Sequence, residues 1–397
     1  MPSIDDARAK FLEDNIGFGG TENFWHAFYM RIYRNEDDLP SELLLSQQGK
    51  WLLSTSVTNS NCPVLAGHVA QLILLAPDDT GRSLGDVYVG RIVDGEPNAL
   101  SSRHGYVEVN IGLTGASVIY GELFRRYLSE FELASSVMQK GPIEPDLLFD
   151  ILEEVGRETL EAFASLDDAR GQWVRNLLLA PTAEGVAVAQ IHDKAAQVAI
   201  EIEQFVIAHE FGHFLIGDHG SAYRSSKTVL LVDQWLTDVG LRDFVWTLNA
   251  KMRSEVMADV AAILMLAGEL SDSRSVARLI WTIQSSIIGM AVSAHVLDQW
   301  VADPGDDHPG YLDRATVATS ILVRMAQGYP VVPDEGHPLG ALVQVCGFMK
   351  LLSEFWIRRN TGAANERSHR SVLEFAMAEA DGIRAIFESI RQQGPKP

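Results

Sequence analysis

The stretch Gln204–His219, which reads Gln-Phe-Val-Ile-Ala-His-Glu-Phe-Gly-His-Phe-Leu-Ile-Gly-Asp-His, constrains this chain more than any other. Val198, Ile202 and Phe205 recur at helical spacing and lead straight into His209, then Gly212 and His213. Residues four apart on a helix share a face, about 6 Å apart along the axis. His209 and His213 therefore aim two imidazoles at one point, with Glu210 beside them. Two imidazoles on a core-facing stripe must both find partners, because buried unpaired polar groups are costly. A zinc ion with a water, and a carboxylate to take that water's proton, meets the requirement. A pair of hydrogen-bonded core histidines would also meet it.

A second element bears on that choice. Leu248, Met252, Glu255, Asp259, Ala262 and Leu266 fall on one helical stripe. Two carboxylates thus sit in a face that otherwise points to the core, where they need compensation. Glu255 is the candidate third metal ligand. Asp259, one turn on, is placed to accept a hydrogen bond from a ligand imidazole and fix its tautomer. The competing reading pairs these acids with Lys251 or Arg253, or leaves them in solvent.

His209-Glu210-Phe211-Gly212-His213, followed by Glu255-Val256-Met257-Ala258-Asp259, resembles the gluzincins, the thermolysin-like zinc metallopeptidases. Glu255 follows His213 by 42 residues, enough for a loop and a second helix. The resemblance covers about 50 to 60 of 397 residues and carries no information on substrate. It implies one zinc ion held by His209, His213 and Glu255, with Glu210 as general base and then acid, and Asp259 as partner of His209. The implied activity is hydrolysis of peptide bonds in a peptide or protein substrate. A gated protease acting on one protein partner, or a scaffold with structural zinc and no catalysis, remains compatible with the same residues. His219 stands as an alternative ligand, ten residues after His209 as in the metzincins. The glycine of their turn is displaced, with Ile at 216 and Gly at 217, and no Met-turn follows. His308 and Arg314, in Asp306-Asp307-His308-Pro309-Gly310-Tyr311-Leu312-Asp313-Arg314, are like a His-Pro…Arg element near the zinc in several gluzincin families. Either is a candidate to stabilise an oxyanion; the alternative is a helix start at Pro309 with Arg314 in a surface pair.

The rest of the chain points to a mainly α (α+β) fold: a helical zincin-like core with a small antiparallel sheet in the N-terminal half. Asp86–Val93 and Tyr106–Leu113 read as strands, the second with Val107, Val109, Ile111 and Leu113 on one face, and Asp94–Asn98 as a turn. Helices are expected over 116–134, 145–163, from about 186 or 193 to 216, and over 241–266, 273–301, 311–327, 338–358 and 371–392. The last opens on a Ser371…Glu374 capping box. Residues 218–235 read as a polar loop, a possible lid. A soft boundary near 180 separates an N-terminal α+β region, 1–180, from a helical zinc-binding region, 181–397; one integrated domain is the alternative.

Composition excludes more than it assigns. A net charge of −21, from 32 Lys+Arg against 53 Asp+Glu, repels phosphate backbones and anionic membrane surfaces, so neither nucleic acid nor a membrane is an expected partner. Two cysteines, Cys62 and Cys346, make neither a disulfide framework nor a thiolate zinc site. The start of the chain lacks a basic segment before an apolar one, so no secretory signal is expected and the expected compartment is the cytoplasm. Ile280–Leu297 holds no Asp, Glu, Lys or Arg and is about long enough to span a bilayer, but Gln284, Ser285, Ser286 and His295 favour a central buried helix.

Overall fold

The structure is a computed structural model describing residues 3–16, 21–33, 41–45, 47–53, 59–94, 98–138, 193–296, 308–329 and 338–360. The helices expected at 145–163 and 371–392, with its Ser371…Glu374 box, and the boundary near 180 lie outside the described residues. Five helices come first: α1 (Ile4–Asp14), α2 (Phe24–Tyr33), α3 (Ser41–Leu45), α4 (Gln47–Leu52) and α5 (Pro63–Leu75). Strands β1 (Tyr88–Ile92), β2 (Ala99–Ser102) and β3 (Tyr106–Asn110) follow. Eight further helices complete the described chain: α6 (Ile111–Met138), α7 (Asp193–Ile216), α8 (Ser226–Asp238), α9 (Arg242–Thr247), α10 (Ala250–Leu266), α11 (Val276–Val296), α12 (Tyr311–Ala326) and α13 (Pro338–Asn360). The fold is mainly α with a small sheet in the N-terminal half.

The sheet differs from the expected antiparallel one. Its order is β1-β3-β2, with β1 parallel to β3 and β2 antiparallel to it, in the registers Tyr88↔Tyr106 and Ala99↔Val109. The tight turn lies at 102–106, where Gly105 takes φ +84°, so the hairpin is β2–β3 and β3 slots beside β1. Alternating residues report which face is buried but not strand direction. Ile111 and Leu113 belong to α6, not to the strand, yet both are buried as their apolar character requires.

Both faces of the sheet are covered. On one, α1 lays Ala7 and Phe11 against Tyr88, Ile92 and Tyr106. Gly90 permits this: a Cβ there would stand 2.2 Å from the Phe11 ring. On the other, Val87, Val89, Val107 and Val109 join one continuous core that also takes residues from α5, α6, α7, α10, α11, α12 and α13. Arg91 of β1 crosses to α7 and donates to the Glu203 carboxylate at 2.7 Å, with Thr114 bonded to the same oxygen. Arg91 and Glu203 are both buried, and burial opposes their charges. The arginine outweighs that for Glu203, holding its carboxyl well below the usual range.

α7 is the axis of this core. It packs against α6, α10 and α11, and Ile202, Phe205, Ile207, Ala208, Phe211, Phe214 and Leu215 are buried around it rather than along one stripe. A helix apolar on most sides belongs at the centre of a large domain. α11 takes up the apolar run beginning at Ile280; it packs among α6, α7, α12 and α13. No helix among the described residues is long and apolar enough to cross a membrane. Cys62 and Cys346 are buried, and neither is in a disulfide.

Three expected boundaries move. The 218–235 loop is short, since α8 begins at Ser226 with Ser225 as its cap, its side chain accepting from the Thr228 N–H. The helix expected over 241–266 breaks at Leu248-Asn249, where the Asn249 side chain accepts from the Met252 N–H and starts α10. Gly310, not Pro309, precedes α12 as its N-cap.

Candidate metal centre and cleft

α7 and α10 meet side by side at Gly212. A Cβ on that glycine would lie 2.6 Å from the Ala258 carbonyl oxygen, so the missing side chain sets how closely the two helices approach. That approach brings Glu255 of α10 onto the imidazoles of α7. His209 and His213 hold their rings nearly perpendicular, with the two Nε2 atoms 3.2 Å apart. Glu255 Oε2 is 3.2 Å from Nε2 of His209, and Oε1 is 3.5 Å from Nε2 of His213. Among the described residues, these three side chains form a group of possible metal ligands whose donor atoms all lie within 4.8 Å of one another.

The donor set fits a divalent transition metal. Two ligands bound at roughly 2.0–2.1 Å in a tetrahedral arrangement stand about 3.3 Å apart, the spacing seen here. Both Nε2 lone pairs are free to turn inward because each Nδ1 is engaged behind. His209 Nδ1 is 2.9 Å from Asp259 Oδ1, and His213 Nδ1 is 2.8 Å from Asp218 Oδ2. The electrostatics also call for positive charge. Burial disfavours a charged His209, but the Asp259 and Glu255 carboxylates outweigh it and raise its pKa to about 10. Glu255 is likewise opposed by burial, yet His209, His213 and His308 hold its carboxyl far below the ordinary range. Carboxylates converging on buried imidazoles make an environment that a dication would satisfy.

Glu210 lines the same cleft, which has a volume of roughly 520 Å3. Its walls come from α7, from the N-terminal turns of α10, from His308 and Arg314, and from the edge strand β2 with its flanking Asn98.

No known family, curated protein or solved structure matches the chain.

The remaining expected site residues are His308, Arg314 and His219. His308 stands at the mouth, half exposed, with Nδ1 3.6 Å from Glu255 Oε2, a contact that raises its pKa against the opposing effect of burial. Arg314 is not in a surface pair. It is largely buried and grips Asp259 through Nε and Nη2, both at 2.7 Å. His219 lines the cleft but stands outside the ligand group; its Nε2 is 2.9 Å from Ser101 Oγ on β2.

Sequence reasoning missed two features. One is Asp218 as the partner of His213; its signal was Gly217, the helix-ending glycine that turns the chain back. The other is β2. β3 is central and paired on both sides, and β2 is the edge strand facing the cleft. Four residues containing two serines carry little strand signal.

Proposed function

We propose that the chain is a zinc-dependent peptidase. His209, His213 and Glu255 hold one zinc ion, and Glu210 is the general base. The observation that carries this reading is the convergence of the three donor atoms at an open cleft that Glu210 also lines. A zinc ion bound there supplies a Lewis acid that lowers the pKa of a water toward about 7 and polarises a substrate carbonyl. Glu210 takes the proton of the attacking water and returns it to the departing amine. His308, at the cleft mouth, is positioned to donate toward the oxyanion that forms on the carbonyl. Asp259, clamped by Arg314, keeps His209 in the tautomer that leaves Nε2 unprotonated. The outer edge of β2 offers backbone groups to an extended peptide or protein substrate.

A purely structural zinc would be enclosed by four protein ligands. Here the ligand group among the described residues has three members, His219 is bonded to Ser101, and the site opens on the cleft. The net charge of −21 weighs against a nucleic acid substrate.

Glu210→Gln is the test. The variant is expected to retain one equivalent of zinc and to lose cleavage of a quenched-fluorescent peptide library. Unchanged cleavage, or a wild-type protein that binds no zinc, would overturn the reading.

A further inference from the structure

We propose that Asp218 is a positioning residue of the metal centre, locking the ring of His213 and tying it to the helix that carries Glu255. The inference rests on the reading of His209, His213 and Glu255 as metal ligands. It adds a residue that the two sequence motifs do not contain.

The end of α7 builds the contact. Gly217 takes φ +100°, its N–H donates to the Phe214 carbonyl at 3.2 Å, and the Asp218 N–H donates to the His213 carbonyl at 3.0 Å. This pair of reverse bonds is the Schellman turn, which needs a residue in the left-handed region and so favours glycine. At Gly217 a Cβ would also stand 2.7 Å from Arg224 Cδ. The turn brings Asp218 back beneath the residue it has just passed, with Oδ2 2.8 Å from His213 Nδ1. The same oxygen accepts from the hydroxyl of Ser254, the residue immediately before Glu255.

One carboxylate oxygen therefore joins the second imidazole to the start of α10. A proton held on Nδ1 by Asp218 leaves Nε2 of His213 as a lone-pair donor facing Nε2 of His209 and Glu255. Asp259 does the same for His209 from the other side. Each ring is thus oriented by its own carboxylate, and through Ser254 the orientation of His213 is coupled to that of Glu255.

The experiment is a zinc competition titration against a chromophoric chelator on the full chain. It compares wild type, Asp218→Ala, Asp218→Asn, Ser254→Ala and Glu255→Ala, with thermal unfolding of each metal-free protein alongside. Asp218→Ala is expected to weaken zinc binding about 10- to 100-fold. Asp218→Asn, which keeps an acceptor oxygen without the charge, should weaken it less, and Ser254→Ala by a few-fold. The visible bands of the cobalt-substituted Asp218→Ala protein should shift, because the ring of His213 is no longer held. A zinc affinity in Asp218→Ala within about twofold of wild type would overturn the proposal. If the alanine variant fails to fold, Asp218→Asn decides on the same terms. Glu255→Ala separates the two levels. Should it abolish binding while both Asp218 variants bind as wild type, the metal site stands and the role of Asp218 falls. Should wild type bind no zinc, both fall.

Discussion

Arg314 and Asp259 form a two-pronged pair: Nε meets Oδ2 and Nη2 meets Oδ1, both at 2.7 Å, with both side chains largely buried. Asp259 Oδ1 also reaches His209 Nδ1 at 2.9 Å. Arg314 thus acts on the candidate metal site through two intermediaries. Removing it leaves a buried carboxylate whose charge burial already opposes. Arg314→Met is expected to destabilise the metal-free protein by about 3–5 kcal/mol, the range for breaking a buried pair from one side. Arg314→Lys should recover only part, since an ammonium cannot reproduce the fork. Pairing Arg314→Met with Asp259→Asn should cost less than the sum of the two single changes. Urea unfolding of the four proteins measures this, and a loss below about 1 kcal/mol for Arg314→Met would show that the pair matters little.

The glycine inside the first motif carries a separate prediction. Ala is the better helix former by about 1 kcal/mol, so Gly212→Ala in an unconstrained helix would stabilise. Here the added Cβ would meet Ala258 O at 2.6 Å and Ala258 Cα at 3.0 Å, both backbone atoms that cannot rotate away. α10 must shift outward, taking Glu255 with it. A net destabilisation of about 1–3 kcal/mol is expected, with weaker zinc binding. A rise in melting temperature would mean that the helices tolerate a wider spacing.

The candidate site was legible because its residue types answer a physical demand that periodicity exposes. Two imidazoles and two carboxylates on core-facing stripes need partners, and the structure makes them partners of one another. Less legible was whatever depends on contacts distant in sequence. Arg314 reads equally as a surface residue or an oxyanion donor until Asp259, 55 positions earlier, is seen against it. Strand order was hidden because alternation gives a face and no direction. The helix at Ser226 was hidden behind a polar lead-in, although Ser225 is an ordinary N-cap and Val229, Leu230, Leu231 and Val232 follow it.

Removal of the metal supplies a prediction about stability. A ligand that binds only the folded state at 100 times its Kd adds about 2.7 kcal/mol. Zinc at that excess is expected to raise the melting temperature of wild type, and a chelator should reverse the rise. His209→Ala and Glu255→Ala should each lose the zinc-dependent increment. An equal zinc-induced rise in Glu255→Ala would place the bound metal somewhere other than this cluster.

Glu201 gives a pH dependence of stability. It lies on α7, eight residues before His209, and is only 6% exposed. Burial pushes its carboxyl up to about 7, against the opposing hydrogen bond from Gln197 Nε2 at 2.9 Å. The folded chain therefore holds this proton more tightly than the unfolded chain, whose value is near 4.5. Below 4.5 both states are protonated and the group is neutral toward stability. As pH rises from 4.5 to about 7 the unfolded chain ionises first and folding loses ground; above 7 the loss is constant. At 1.36 kcal/mol per unit the full effect is at most about 3 kcal/mol. Glu201→Gln keeps an oxygen for Gln197 and removes the ionisation. It should exceed wild type in stability by about 1 kcal/mol at pH 5.5 and by a further 2 kcal/mol or so at pH 8. Denaturant unfolding at the two values decides it: a difference between the proteins that does not grow with pH would mean that Glu201 ionises in the fold as freely as in water.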